Sequence, residues 1–240
     1  MKSIDAYLQK TENKKILFVY PHPDDESVMA GGLIQKALNI GFEVTVLTLT
    51  EGNRGKIYIN GKGRSVTEIR RDEMADAMSV LKVSDWVMWK FEDGKLKKRE
   101  NWRVRLRKFI EETEPDIVVT YDLSGVTGHP DHIALSLEIL RLFRKTKSFK
   151  LLWTSFAGNF KNVMVDKRVS DYLVKPKFEL KLRLGEARKK WQAAFAHRSQ
   201  KLAGYVGSPW WILMFAARQE WYSEAKLSIK YKYRFTKFKI

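Results

Sequence analysis

Four histidines are spread over 240 residues, at positions 22, 129, 132 and 197. Two of them open nearly the same tetrapeptide, His22-Pro23-Asp24-Asp25 and His129-Pro130-Asp131-His132. Each copy follows an apolar run and precedes a helical pattern, so imidazoles and carboxylates recur at two strand ends. That is the donor set of a metal site. Catalytic zinc takes three nitrogen or oxygen ligands and leaves a fourth position for water. His22 and Asp25, three residues apart at one strand end, can point to one spot, and His132 closes the set from a second strand end. Zinc suits this mixed ligation, and iron, manganese or cobalt fit it too. Asp24 is left over beside the metal, where a carboxylate that does not ligate can act as general base on a water. Its alternative role is a helix cap. His129 is left over as well: as an imidazolium it can stabilise an oxyanion or protonate a departing amine, and otherwise it is a hydrogen-bonding loop residue. Glu26 reads as a brace or cap for a ligand rather than a catalytic group. Together these residues make the inventory of metal-assisted hydrolysis.

The elements that must position them follow from the hydrophobic pattern. Ile16–Tyr20 is a short buried strand that runs straight into the first tetrapeptide. A helix from about Ser27 to Asn39 follows and stops at Gly41. Phe42–Thr50 is β-branched and apolar, a second buried strand. Glu51–Ser65, with four glycines, reads as a long loop of the kind that often carries function. A helix over Thr67–Leu81, a strand over Trp86–Phe91, a turn at Glu92-Asp93-Gly94 and a basic amphipathic helix over Trp102–Glu112 come next. Asp116–Tyr121 is the fourth strand. The loop Asp122–Gly128 leads into the second tetrapeptide, whose Pro130 suits the first turn of a helix reaching about Lys145. Leu151–Ala157 is the fifth strand.

Strand and helix alternate five times, which predicts an α/β fold: a Rossmann-like open, mostly parallel sheet with helices on both faces and right-handed crossovers. No Gly-x-Gly-x-x-Gly follows the first strand, which disfavours dinucleotide binding. If the first and fourth strands lie side by side, both tetrapeptides meet at a topological switch point. The organisation expected is one domain over 1–240, with a Rossmann-like core over 14–157 and a C-terminal extension over 158–240 packed on it. In that extension Phe178–Leu184 alternates as a half-exposed strand. Glu186–Leu202 reads as a helix carrying Trp191, Phe195 and His197. Trp210–Ala217 is a core strand or an interfacial contact, and residues 1–13 form a helix or arm.

Forty-five basic against 28 acidic residues leave a net charge of +17. The excess points to an anionic partner (nucleic acid, an acidic membrane surface or a phosphorylated substrate), or else to a basic host proteome or a solubility device. No nucleic-acid motif accompanies it. The alternating basic tail from Leu227 is either a twisted edge strand with solvated lysines or a contact to an anionic membrane. The absence of cysteine excludes thiolate metal sites and disulfides. No signal peptide is visible in the polar residues 1–12, and no apolar run nears the ~20 residues that span a bilayer. A cytoplasmic protein is expected, with peripheral contact to the membrane's inner face allowed and homo-oligomerisation left open.

His22-Pro23-Asp24-Asp25-Glu26 together with Gly128-His129-Pro130-Asp131-His132 resembles the LmbE-like, or PIG-L, family of zinc-dependent N-deacetylases. Thr48–Gly52, Arg70-Arg71-Asp72-Glu73, Asp93-Gly94, Pro115–Thr120 and His197-Arg198-Ser199-Gln200 resemble further family segments, so the likeness spans roughly residues 14 to 200. The resemblance implies Zn2+ held by His22, Asp25 and His132. It implies Asp24 as base, His129 as acid or oxyanion stabiliser, and Arg70 and Asp93 as contacts to the sugar or its aglycone. The implied reaction removes an N-acetyl group from an N-acetylglucosamine-containing small molecule or glycolipid. The competing readings are an amidase on a larger glycoconjugate and an anion- or nucleic-acid-binding protein. One departure stands out: many family members carry a tyrosine two residues before the first histidine of the second motif, where this chain has Thr127.

Overall fold

Ile16, Phe18 and Tyr20 face one apolar core, and Leu17 and Val19 face another. Strand β2 (Lys15–Tyr20) is therefore buried on both sides, as the central strand of a two-faced α/β sheet must be. The computed structural model describes residues 1–98, 100–157, 165–200 and 218–227. Along the chain run β1 (Lys2–Ser3), α1 (Asp5–Gln9), β2, α2 (Asp25–Asn39), β3 (Glu43–Thr50), α3 (Val66–Leu81), β4 (Asp85–Phe91) and α4 (Asn101–Thr113). Then come β5 (Ile117–Tyr121), the helical turn α5 (Gly125–Gly128), α6 (Pro130–Thr146), β6 (Lys150–Ser155), β7 (Phe178–Lys181), α7 (Leu184–Ala196) and β8 (Gln219–Glu224).

The strands form one sheet in the order β1-β7-β8-β6-β5-β2-β3-β4. From β6 to β4 every pairing is parallel, and β5 lies directly against β2 with Ile16 opposite Ile117. The chain leaves β2 toward β3 on one side and later returns to β5 on the other, so the switch point falls between β2 and β5. Buried faces of α2, α3 and α7 cover one side, while Trp102, Leu106 and Ile110 of α4 and Leu135, Ile139 and Leu142 of α6 cover the other. α3 opens with a reciprocal capping box between Ser65 and Glu68, a device worth about 1 kcal/mol.

Several expectations need correction. The helix expected over Glu186–Leu202 ends at Ala196, because the next residues are captured elsewhere: Ser199 N–H and Oγ donate to Glu73 at 2.6 and 2.7 Å. A backbone N–H committed to a distant carboxylate is no longer free to continue the helical ladder. The loop Asp122–Gly128 contains the turn α5, with Val126 at φ 58°. Strand β8 has no counterpart in the sequence reading. Its Gln-Glu-Trp-Tyr-Ser-Glu string is too polar to suggest a strand, yet it pairs antiparallel with both β6 and β7. The C-terminal segment thus extends the sheet edge as well as packing α7 on α2 and α3. The expectations for Trp210–Ala217 and for the basic tail beyond Leu227 lie outside the described residues.

Glu220 explains why β8 belongs there. Its buried carboxylate accepts the N–H groups of Gly32 and Leu33, midway along α2, at 2.7 and 2.9 Å. Lys190 Nζ lies 2.7 Å from the same carboxylate, and the Tyr222 hydroxyl donates to it at 2.5 Å. A buried charge is tolerated when it is paired and hydrogen-bonded this fully. The contact steadies the helix whose first turn carries Asp25. It also requires glycine at position 32, where a Cβ would lie 2.7 Å from both Leu182 methyls and 2.8 Å from Glu220 Oε1. Gly32→Ala is expected to cost about 1–3 kcal/mol, read as a lower denaturant midpoint; an unchanged midpoint would contradict this packing.

Candidate metal centre

Parallel pairing of β2 with β5 brings the two tetrapeptides together at the carboxyl ends of the strands. His22 and Asp24 lie in the turn after β2, and Asp25 opens α2. His129 caps α6, with Pro130 and His132 both in its first turn. Three donor atoms converge. His22 Nδ1 lies 3.2 Å from His132 Nε2 and 3.5 Å from Asp25 Oδ2, and His132 Nε2 lies 3.6 Å from Asp25 Oδ2. Zinc bonds of about 2.0–2.1 Å in a tetrahedron separate neighbouring ligand atoms by about 3.3 Å. The triangle therefore fits a small divalent cation.

The remaining nitrogen of each imidazole is committed elsewhere. His132 Nδ1 is 3.0 Å from the Gly125 carbonyl, which can only accept, so this nitrogen carries the hydrogen and Nε2 presents its lone pair. His22 Nε2 faces Asp93 Oδ1 at 3.1 Å and Asp131 Oδ2 at 3.4 Å. Donors of His22, Asp93 and Asp131 also lie close enough to form a metal cluster, as do those of His22, His129 and His132. The Asp131 carboxylate, however, already accepts the N–H groups of Gly94 at 2.7 Å and Leu96 at 3.0 Å, and Asp93 accepts that of Arg54 at 3.2 Å. Both carboxylates face His22 Nε2, the nitrogen turned away from the donor triangle, and so suit bracing His22 through its Nε2–H, as ligating histidines are usually braced. Tyr121, the last residue of β5, donates to Asp25 Oδ1 at 2.5 Å and stacks on the His132 ring at 4.3 Å.

The electrostatics divide the two adjacent aspartates. Burial and the neighbouring Asp25 charge push the Asp24 carboxyl well above the usual carboxylate range. Burial also opposes the Asp25 charge, but His132 and His22 outweigh it and hold that carboxyl below the usual range. For His22, burial is opposed by hydrogen bonds to Asp131, Asp25 and Asp93, which raise it well above the ordinary imidazole value. Burial pushes His132 down to about 4. Burial and the nearby His22 also lower His129. Such divergence between close groups is characteristic of functional sites. Asp24 sits at the N-cap position of α2 but its side chain makes no capping hydrogen bond, so the helix-cap alternative is not what the structure has. His129 does cap, accepting the Asp131 N–H on Nδ1 at 3.3 Å, which puts the hydrogen of the neutral ring on Nε2.

The other expected residues fall around this cluster. Glu26 is fully buried; it accepts the Asp24 N–H at 3.2 Å and the Ser27 hydroxyl at 2.7 Å, and faces His197 Nε2 at 3.3 Å. Asp93, expected as a sugar contact, touches His22. Arg70 lies buried under the Gly52–Gly55 loop, where a Cβ at either glycine would come within 1.9 or 2.1 Å of its guanidinium. Its Nε has no partner among the described residues. Thr127 Oγ1 is 3.4 Å from His132 Nδ1. Asp131 and Tyr121 were not singled out by sequence reasoning. Asp131 repeats the Asp24 position within its tetrapeptide, and Tyr121 ends a strand that leads into the site; those were the available signals.

An open, mostly parallel α/β sheet with an imidazole–carboxylate cluster at its switch point defines a Rossmann-like protein able to hold a metal ion at its strand ends. The profile of the PIG-L family, described as GlcNAc-PI de-N-acetylase, matches residues 17–143, and the chain belongs to that family. It is similar to the 1D-myo-inositol 2-acetamido-2-deoxy-alpha-D-glucopyranoside deacetylase of Thermobispora bispora, 31% identical over 147 residues that cover 50% of this chain and 48% of the relative. The enzyme of the same description from Thermomonospora curvata is 32% identical over 147 residues, 50% of this chain and 49% of the relative. The chain thus spans about half the length of these curated relatives. Among solved structures, the N,N'-diacetylchitobiose deacetylase of Pyrococcus horikoshii shares the fold with a TM-score of 0.69 at 22% identity, covering 96% of this chain and 91% of that one. Among the described residues no helix is long and apolar enough to cross a membrane.

The His197–Glu26 pair carries a pH signature. Burial opposes charge on His197, but Glu26 raises its pKa above 6.5. A raised histidine stabilises the fold fully below about pH 6.5, and that contribution is lost as pH rises through the folded value. The thermal midpoint is expected to fall as pH climbs above about 6.5, and to lose that part of its slope in His197→Gln. The same slope in both proteins would refute the assignment.

Proposed function

We propose that the protein is a metal-dependent hydrolase that removes the N-acetyl group from an N-acetylglucosamine-containing conjugate, giving a free amine and acetate. The observation that carries this reading is the donor triangle of His22, Asp25 and His132 with the uncapped Asp24 carboxyl next in sequence. Family membership and the names of the similar deacetylases support the choice of bond and sugar.

A divalent cation, zinc by its donor set, would be held by His22 Nδ1, Asp25 Oδ2 and His132 Nε2, and would supply Lewis-acid polarisation and a more acidic water. Asp24 in its ionised form takes the proton of the attacking water; burial and the Asp25 charge raise its carboxyl to about 8, which makes it a stronger base. The neutral His129 ring, its Nδ1 occupied by the Asp131 N–H, offers Nε2–H to the carbonyl oxygen as negative charge develops there. That tautomer favours the oxyanion role over the acid role, and Asp24 then returns its proton to the departing amine. Asp131 and Asp93 orient His22, and the Gly125 carbonyl orients His132. Arg70, buried under the Gly52–Gly55 loop, is the residue that the family resemblance assigns to the sugar or its aglycone.

Two measurements test this reading. In Asp24→Asn, release of free amine and acetate from a panel of N-acetylglucosamine conjugates is expected to fall by about 10²–10⁴-fold with bound zinc retained. Turnover equal to the parent would remove Asp24 as base, and products other than acetate would favour an amidase on a larger glycoconjugate. In Asp131→Asn, zinc affinity measured by competition with a chromogenic chelator is expected to drop about 10–100-fold. An unaltered affinity would show that Asp131 does not brace a ligand.

A further inference from the structure

Asp24 holds φ 108° and ψ −32°. A residue with a side chain stays in that region only where its surroundings hold it there. The peptide bond that precedes it is gripped at both ends. Its carbonyl, on Pro23, accepts the Gln200 side-chain amide at 2.8 Å. Its N–H, on Asp24, donates to Glu26 Oε2 at 3.2 Å. The other Glu26 oxygen faces His197 Nε2 at 3.3 Å. His197 and Gln200 thus reach the same peptide plane from one short segment, one directly and one through Glu26. Ser199 between them anchors that segment to α3 through two bonds to Glu73, at 2.6 and 2.7 Å. Glu26, His197 and Ser199 are almost wholly buried and Gln200 is 9% exposed, so water does not compete for these bonds.

The Ser199–Glu73 pair already ties this segment to α3. The two further bonds converge on the one backbone unit that aims the Asp24 carboxyl, and neither His197 nor Gln200 belongs to the donor triangle. We propose that His197 and Gln200 are positioning residues for Asp24: they fix the Pro23–Asp24 peptide, and through it the direction of the carboxyl. The inference rests on Asp24 acting as base. Proton transfer from water depends steeply on that direction, so the grip acts on turnover rather than on metal or substrate binding.

The test uses the zinc-loaded full chain and p-nitrophenyl N-acetylglucosaminide, scored as new free amine. Gln200→Met keeps the side-chain length and removes the donor. His197→Leu removes the support of Glu26, and His197→Gln keeps an N–H near the same place. Gln200→Met and His197→Leu are expected to lower kcat by about a hundredfold with KM and bound zinc unchanged, and His197→Gln to recover most of the loss. On an Asp24→Asn background, Gln200→Met is expected to add nothing. A crystal structure of Gln200→Met is expected to show Asp24 departing from φ 108° with the donor triangle intact. The proposal is overturned if kcat in Gln200→Met matches the parent, if its loss repeats in full on the Asp24→Asn background, or if Asp24 keeps its backbone conformation in that crystal. Parent-like turnover in Asp24→Asn alone would instead defeat the reading of Asp24 as base, and the crystal structure would still decide whether Gln200 sets its conformation.

Discussion

Two imidazole nitrogens, His22 Nδ1 and His132 Nε2, face each other at 3.2 Å beside the Asp25 carboxylate. Lone pairs at that distance repel unless a cation, proton or metal, stands between them. Much of the molecule can be understood as keeping this arrangement in place. The far nitrogen of each ring must be tied so that the near one points inward. Asp131 and Asp93 do this for His22, and the Gly125 carbonyl does it for His132. Asp131 can serve only because it is itself immobilised by Gly94 and Leu96 N–H groups in the turn after β4. Three strand ends, β2, β4 and β5, are therefore coupled through one small cluster.

The same logic extends to the C-terminal segment. It contributes buried charged groups, each tied to an element that carries the site. Glu220 and Lys190 meet at the middle of α2, and His197 meets Glu26 in its first turn. Ser199 meets Glu73 on α3. Buried polar groups add little net stability compared with apolar packing of the same shape. They do impose direction, because a hydrogen bond lost in the interior leaves a costly unpaired group. The apolar contacts of α2, α3 and α7 hold the layers together, while the polar contacts determine how the helices are set against the sheet.

The central five-strand pattern was legible because buried parallel strands leave continuous apolar runs such as Ile16–Tyr20 and Ile117–Tyr121. The helices between them were legible from their spacing of apolar residues. Strand β8 was not, because Glu220 is a buried polar residue whose partners Gly32, Leu33 and Lys190 lie on distant elements. The end of α7 was misjudged for a similar reason: nothing near residue 197 shows that Glu73, over a hundred residues earlier, will capture Ser199. Asp93 was read as a sugar contact by resemblance, and its approach to His22 depends on how the turn after β4 folds back.

Sequence alone determined the chemistry available: two His-Pro-Asp tetrapeptides at strand ends, a spare aspartate, no thiols, and an alternating β/α order that places both tetrapeptides at the same end of a parallel sheet. These are local properties, set by residue type, spacing and periodicity. Tertiary structure alone decided which nitrogen of each histidine faces the centre, that Asp131 and Tyr121 join the site, and that the strained Asp24 backbone is gripped from residues 197 and 200. Apart from the short-range His132–Gly125 bond, those features depend on contacts between groups about a hundred or more residues apart, and their distances and tautomers arise only when buried polar groups must find partners away from water.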